Sequence, residues 1–196
     1  TVMDLTVNGP DSDGLMKDFT TMDSGNNSEL IDLYGNTVST INIHTGIKNI
    51  GKGMMANLDT MSPIFMAPSS FHSNEEFFLY VMDLQNLLKY SEKINYEFQN
   101  VSLQSLNIYS KELQNIENSA FLGCINLNEI NWGNSVLNIG DYAFYYCGLS
   151  NVKLPTTLKN IGMLSFCSSG IKSITLPEIE TISPGAFMNC TYATGD

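Results

Sequence analysis

The residues of this chain that could carry out catalysis or hold a metal ion are few and scattered. The sequence of 196 residues contains two histidines, His44 and His72, and four cysteines. Neither histidine lies in an H-E-x-x-H sequence, and the chain has no P-loop, no G-x-S-x-G and no dinucleotide-binding glycine pattern. Asp11-Ser-Asp13-Gly14 supplies two carboxylates of a calcium loop but lacks the later acidic ligands. We therefore predict a protein that is not an enzyme, with no catalytic residue, no metal and no cofactor.

The cysteines follow a spacing that indicates a structural role. Cys124, Cys147 and Cys190 each stand three residues after a phenylalanine, and Ser169 takes that place once. Cys167 stands outside this column, and no C-x-x-C pair or Cys/His cluster has the spacing of a zinc site. A small thiol at a repeated position is typical of a buried core residue. We therefore expect reduced, buried cysteines rather than disulfides.

A repeated apolar pattern runs through the second half of the chain. Leu-x-x-Ile-x-Leu, a gap and then Leu-x-x-Ile-x-x-x-Ala-Phe-x-x-Cys recur between Leu103 and Cys190. The repeat phenylalanines are separated by 23, 22 and 21 residues: Phe121, Phe144, Phe166 and Phe187. This period predicts a right-handed α/β leucine-rich-repeat solenoid, whose coils bury their apolar sides by stacking on one another. We expect a parallel β-sheet on the concave face, with turns and short helices on the convex face.

The first half of the chain, residues 1–102, carries the same pattern in degenerate form. Four segments match its strand motif: Val2–Val7, Leu30–Leu33, Val38–Ile43 and Met61–Met66. Ile31 and Ile41 are only ten residues apart, so either the connection within 28–43 is compressed or one of the two strands lies off the main sheet. An insertion near 77–98 has strand and helix periodicity. No linker divides the chain, so we predict one domain over 1–196, with four regular repeats in 103–190.

The regular repeats resemble one particular family. Ile139–Cys147 (I-G-D-Y-A-F-Y-Y-C) and Val152–Gly162 (V-K-L-P-T-T-L-K-N-I-G) are similar to the BspA-type leucine-rich repeat, and Leu79–Tyr90 resembles an insertion common in that family. The resemblance implies an extracellular or cell-surface anchored protein of a group linked to adhesion and host-protein binding. The family brings no catalytic residue with it. Because the chain opens at Thr1 and shows no signal peptide, we expect that a leader preceded it.

The binding candidates follow from strand geometry. The two final apolar residues of each strand motif point inward, so the residue between them and those flanking them face the concave surface. One such column is predicted to contain Thr6, Asn42, Phe65, Asn107, Asn131, Lys153 and Thr175. Aromatic rings where solvent is expected are typical of interface anchors, and they occur at His44, Phe65 and Tyr109. The candidate ligand-binding residues are His44, Phe65, Asn107, Tyr109, Asn131 and Lys153, and the alternative is a solvated sheet with scattered aromatic residues.

Two other repeated positions have structural interpretations. An asparagine stands immediately before the repeat isoleucine in four coils: Asn49, Asn115, Asn138 and Asn160. Its amide can bond the backbone of its own turn and of the next coil. Trp132 replaces leucine or isoleucine at an inward position of a strand motif, so we expect a core indole.

Charge and hydropathy limit the partners. The chain has 9 Lys+Arg against 20 Asp+Glu, a net charge of −11, and such a surface repels phosphate backbones and anionic lipid. No apolar stretch approaches the roughly 18 residues of a transmembrane helix. We therefore expect no nucleic-acid partner and no membrane span in this chain.

Only six residues follow Cys190, too few to cap the last coil, so we expect weak self-association through the C-terminal edge.

These observations lead to a functional prediction with one alternative. We predict a non-catalytic extracellular binding or adhesion module that recognises a protein or glycan through the concave face of the solenoid. The alternative is a structural spacer within a larger surface protein, with no ligand of its own. Clustering of exposed aromatic residues on the sheet favours binding, whereas an even polar surface favours the spacer.

Overall fold

The computed structural model describes residues 2–5, 38–51 and 102–190. Within these ranges the chain forms eleven short β-strands and no helix. In chain order the strands are β1 (Val2–Leu5), β2 (Thr40–Ile43), β3 (Asn49–Ile50), β4 (Ser105–Ile108), β5 (Asn115–Ile116), β6 (Glu129–Asn131), β7 (Asn138–Ile139), β8 (Asn151–Lys153), β9 (Asn160–Ile161), β10 (Ser173–Thr175) and β11 (Thr181–Ile182).

The longer strands occupy the same place in successive coils, and we call them the front sheet. They pair in parallel in two parts, in the orders β1-β2-β4-β6 and β8-β10. Ile41 lies opposite Leu106, and Leu106 lies opposite Ile130. The apolar residue of each strand therefore stacks on its counterpart in the next coil, as a solenoid requires. The division between the two parts falls at the coil whose inward position holds Trp132.

The two-residue strands form a second parallel sheet, which we call the back sheet. Its order is β11-β9-β7-β5-β3, so neighbouring coils are neighbours here as well. The leucine-rich-repeat fold is confirmed, but the short helices expected opposite the front sheet are absent from the described residues. The reason lies in the turns that follow each back strand, because two positions per coil adopt left-handed backbone angles that interrupt a right-handed helix. These positions are Ser119, Tyr142, Leu164 and Gly185, and then Gly123, Tyr146, Ser168 and Asn189.

Direct pairing between distant segments shows how the N-terminal half enters the front sheet. Strand β2 is the hydrogen-bonded neighbour of β4, with Thr40 opposite Ser105, although the two strands are far apart in the sequence. In the same way β1 is the neighbour of β2, with Val2 opposite Thr40. The strand motifs predicted at Leu30–Leu33 and Met61–Met66 fall outside the described residues.

The core is organised around a column of stacked phenylalanine rings. Phe121 and Phe144 stack with centroids 5.3 Å apart, Phe144 and Phe166 also at 5.3 Å, and Phe166 and Phe187 at 5.4 Å. The interplanar angles are only 8–9°. The Trp132 indole meets Phe144 edge-on at 5.4 Å and is only 6% exposed, which confirms its core position. The repeat period therefore places one aromatic ring per coil directly over the last.

The repeated thiols are hydrogen-bond donors as well as small core residues. Cys147 Sγ donates to the Phe121 carbonyl oxygen at 3.2 Å, and Cys190 Sγ donates to that of Phe166 at 3.3 Å. In the intervening coil the Ser169 hydroxyl makes the same bond to Phe144, at 2.9 Å. The Phe121 and Phe166 oxygens also accept a backbone N–H from their own turn, so each thiol adds a further bond that joins adjacent coils. Serine can replace cysteine in this column because the column requires a small donor.

We predict that the four cysteines do not react in the folded protein. All four are free and buried. Burial raises the pKa of the Cys167 and Cys190 thiols to about 11 and raises the pKa of Cys124 and Cys147 even further. Because the thiolate is the reactive form, titration with a chromogenic disulfide should be slow in the native state and count four thiols after unfolding. Rapid native reaction, or fewer than four thiols in unreduced unfolded protein, would contradict this prediction.

The repeated asparagines form a ladder of side-chain amides along the back sheet. Asn138 Nδ2 donates to Asn115 Oδ1 at 2.7 Å, and Asn160 Nδ2 donates to Asn138 Oδ1 at the same distance. The role is structural, as expected, but these bonds join side chains of adjacent coils instead of reaching the backbone. The ladder ends where Thr181 lies opposite Asn160.

Candidate functional site

The first four strands of the front sheet align four polar side chains, which we call the polar row: Asp4, Asn42, Asn107 and Asn131. Asp4 lies opposite Asn42, Asn42 lies opposite Asn107, and Asn107 lies opposite Asn131. Each residue alternates with the inward-facing residues of its strand, so the row lies on the outer face of the sheet. The row therefore joins segments that are far apart in the sequence.

The register of β1 corrects one sequence prediction. The motif Val2–Val7 predicted Leu5 and Val7 opposite Ile41 and Ile43, which would have put Thr6 in the column. Instead, Met3 and Leu5 take those places, and Met3 packs against the core. A shift of two residues leaves the same face of the strand inward, but it exchanges Thr6 for the carboxylate of Asp4.

Hydrogen bonds link three members of the polar row to one another and to His44. Asn107 Nδ2 donates to Asn42 Oδ1 at 3.0 Å, and Asn42 Nδ2 donates to Asp4 Oδ1 at 2.9 Å. The same Asp4 oxygen lies 2.8 Å from His44 Nε2. These hydrogen bonds therefore hold the four side chains in defined positions.

An exposed aromatic ring lies beside the polar row. Tyr109 follows β4 directly and is 51% exposed. Its ring centroid is 5.7 Å from that of His44, at an angle of 38°. Since His44 contacts both Tyr109 and Asp4, it connects the ring to the row. We call the polar row with His44 and Tyr109 the front-sheet cluster.

The structure places the six candidate residues differently. His44, Asn107 and Tyr109 come together in the front-sheet cluster, and the exposed Asn131 lies at the end of its row. Lys153 does not join them, because it lies on β8 opposite Thr175, in the other part of the front sheet. Phe65 lies outside the described residues.

Sequence reasoning missed Asp4 and Glu112 as members of this region. Asp4 was missed because the observed register of β1 differs by two residues from the predicted one. Glu112 lies beyond the strand, where its carboxylate accepts the Gly46 backbone N–H at 3.0 Å and the Ser110 hydroxyl at 3.2 Å. It thereby ties the turn after β2 to the next coil.

Hydrogen bonding lowers the pKa of both carboxyl groups. The bond with His44 is the main cause of the lowered pKa of Asp4, followed by the bond from Asn42. The Gly46 N–H is the main cause of the lowered pKa of Glu112, with a further contribution from Ser110. The ionised form of each group is therefore the form that the folded protein stabilises.

We predict that β1 loosens in acid. The pKa of Asp4 is lowered from an ordinary value of 3.8, so its contribution to stability is complete above that value and is lost as pH falls through the lower, folded-state pKa. Backbone amide signals of β1, followed by NMR from neutral pH downward, should report weaker pairing in this acid range. Asp4→Asn is the control and should remove the acid step. An unchanged acid profile in that variant would contradict the prediction.

The front-sheet cluster contains groups that can form hydrogen bonds and contact an apolar surface. Within residues 2–5, 38–51 and 102–190, no group of three or more His, Cys, Asp or Glu side chains could hold a metal ion. The cluster offers amides, a carboxylate, an imidazole and a phenol ring on an open sheet. These groups provide directional hydrogen bonds and a flat apolar surface.

Stacked parallel coils with one strand motif per coil define a leucine-rich-repeat protein. A family model for the BspA-type leucine-rich repeat region matches six copies over residues 92–194. This match covers more than half of the chain, so the chain belongs to the BspA-type leucine-rich-repeat family.

Solved structures share the fold at low sequence identity. A leucine-rich cell surface protein from Faecalibacterium prausnitzii A2-165 is similar with a TM-score of 0.58 and 16% identity over 97% of this chain and 40% of its own. A leucine-rich-repeat protein from Eubacterium ventriosum ATCC 27560 gives 0.51 and 15% over 88% of this chain and 41% of its own. The chain thus spans about 40% of the length of these relatives. No match is found among curated proteins. Separately, no helix in the described ranges is long and apolar enough to cross a membrane.

Proposed function

We propose that this chain is a non-catalytic binding module that works at the cell exterior. It recognises a protein or a glycan through the face of the front sheet, which is the usual binding face of such solenoids. The extracellular location is supported by the family and by the description of the Faecalibacterium relative as a cell surface protein.

The observation that carries this proposal is the composition of the front-sheet cluster. Tyr109 is a large ring that is half exposed, although burial of that ring would be favourable. Around it, His44, Asp4, Asn42 and Asn107 are already linked by hydrogen bonds. Exposed aromatic residues with preorganised polar neighbours are typical of interface anchors.

The proposal is tested by measuring which components of extracellular matrix or mucin the immobilised protein retains. Immobilised protein should retain a component of extracellular matrix or mucin, and Tyr109→Ala should weaken this retention. Thr175→Ala is the control, because Thr175 is an exposed residue on β10, in the other part of the front sheet and away from the cluster. Retention that is equal for the two variants would contradict a binding role for the cluster. No retention of any component would favour the alternative below.

The alternative is a structural spacer within a larger surface protein. The far part of the front sheet supports it, because Asn151, Lys153, Ser173 and Thr175 are exposed polar side chains without an aromatic ring among them. A spacer would need only continued stacking of coils, and it would tolerate Tyr109→Ala without any loss of binding.

We also predict weak self-association through the C-terminal coil. Leu176 is 45% exposed and Ile182 is 48% exposed, and among the described strands β10 and β11 are terminal in their sheets. Exposed strand edges with apolar neighbours pair readily with another chain. Light scattering should show a mass that rises with concentration, and Thr175→Pro, in a folded variant, should reduce the rise. A strict monomer at high concentration would contradict the prediction.

A further inference from the structure

We propose that the front-sheet cluster is a subsite for a neutral carbohydrate, with a sugar ring stacked on Tyr109 and its hydroxyl groups bonded along the polar row. This inference rests on the proposed binding function and specifies the ligand of the same site. Four properties of the described residues support it: unused hydrogen-bonding capacity, spacing, the exposed ring and charge.

Unused hydrogen-bonding capacity is the first property. Among the described residues, Asp4 Oδ2 and Asn107 Oδ1 accept no hydrogen bond, and Asn42 and Asn107 each donate only one of their two amide N–H groups. The row therefore presents acceptors and donors to solvent in alternation. A sugar hydroxyl donates and accepts at once, so neighbouring hydroxyls can pair with such a row at several points.

The spacing of the row fits an extended ligand. Its four residues stand on four successive parallel strands, and neighbouring strands are about 4.8 Å apart. Three such steps give a row of about 14 Å. This length exceeds a single pyranose ring, so the row suits an oligosaccharide lying across the strands.

Tyr109 supplies the flat surface that a sugar ring requires. Its ring is 51% exposed and lies beside the His44 ring. The face of an aromatic ring carries partial negative charge, and the C–H groups on one side of a pyranose carry partial positive charge. Stacking therefore contributes affinity, while the polar row orients the sugar.

Charge favours a neutral ligand over an anionic one. No lysine or arginine occurs in β1, β2, β4 or β6. The row contains the carboxylate of Asp4, and Glu129 lies on β6 opposite Ser105. Sialylated or sulfated glycans would bring negative charge next to these groups and be repelled.

A peptide fits the same place less well. Peptides commonly bind to a sheet by adding a strand at an open edge. The backbone groups of β2 and β4 are already used, because each of these strands pairs on both sides. The outer face at this point offers side-chain hydrogen bonds, which match hydroxyl groups better than an apolar peptide anchor.

A glycan array that carries neutral, sialylated and sulfated oligosaccharides tests the inference on the full chain. We expect binding to neutral members and at least about a tenfold loss in Tyr109→Ala, the size of a moderate interface anchor. Tyr109→Phe keeps the ring and should keep most of the affinity. Asn107→Ala should weaken binding, whereas Thr175→Ala should not. Circular dichroism and thermal midpoints establish that each variant is folded.

The outcomes separate this inference from the proposed function. Binding confined to charged glycans, or neutral-glycan binding that Tyr109→Ala leaves unchanged, overturns the carbohydrate subsite. If no glycan binds but matrix protein is retained in a Tyr109-dependent way, the inference fails and the binding module stands. If neither glycan nor matrix component binds, both fail.

Discussion

Replacing Phe144 with alanine is expected to lower the free energy of unfolding by about 3–5 kcal/mol, the usual range for emptying a buried aromatic site. Phe144 is fully buried and stacks on Phe121 below and Phe166 above. It also meets the edge of Trp132. Its removal would therefore open a cavity shared by three coils, where the aromatic contacts also contribute. A denaturant titration followed by circular dichroism measures this loss.

Phe187→Ala is the matched control for that prediction. Phe187 is only partly buried, and among the described residues it stacks on Phe166 alone, at the end of the column. Its loss should cost clearly less than that of Phe144, because less apolar surface and one ring contact are removed. Equal effects of the two substitutions, or an unchanged denaturant midpoint for Phe144→Ala, would show that the stacked column does not stabilise the coils as described.

Gly133→Ala is expected to cost about 2–3 kcal/mol, because two penalties coincide at this position. Gly133 has a φ of +64°, a conformation that alanine adopts only with strain. A Cβ atom there would also lie 2.6 Å from the Ile108 carbonyl oxygen of the preceding coil. The backbone of one coil would have to move away from the next, and thermal or denaturant unfolding should report this as a loss of stability.

Gly170→Ala provides the comparison for Gly133. A Cβ at Gly170 would meet only the Leu149 carbonyl oxygen, at 3.4 Å, and its φ lies outside the left-handed region. This substitution should change the stability by less than about 1 kcal/mol. If the two glycine variants were equally stable, neither the left-handed angle nor the close approach at Gly133 would matter to the fold.

The repeat sequence by itself determined the architecture of the coils. Apolar residues at fixed intervals can be buried only by stacking, so the period of Phe121, Phe144 and Phe166 already implied the column that is observed. Trp132 was recognised as a core residue by the same argument. The reason is that these positions depend on local periodicity, which each coil repeats within about 22 residues.

Hydrogen-bond partners between coils were decided only by the tertiary structure. The sequence indicated small buried thiols and structural asparagines, but it did not show that Cys147 bonds the Phe121 carbonyl oxygen or that Asn138 bonds Asn115. Such partners depend on the height and rotation of one coil over the next. Gly133 is a further case, because Tyr109 and Pro155 occupy its place in adjacent repeats, and a comparison of the repeats alone gives no reason for glycine.

The candidate site was determined partly by the sequence and partly by pairing across long distances. Strand alternation was enough to put His44, Asn107 and Tyr109 on the outer face. It could not show that β1 pairs with β2 in a register that brings in Asp4, or that β2 pairs directly with β4. Many residues separate these strands, and the entropic cost of closing such loops varies only slowly with their length. Only the packed coils therefore select which strands become neighbours and which side chains meet.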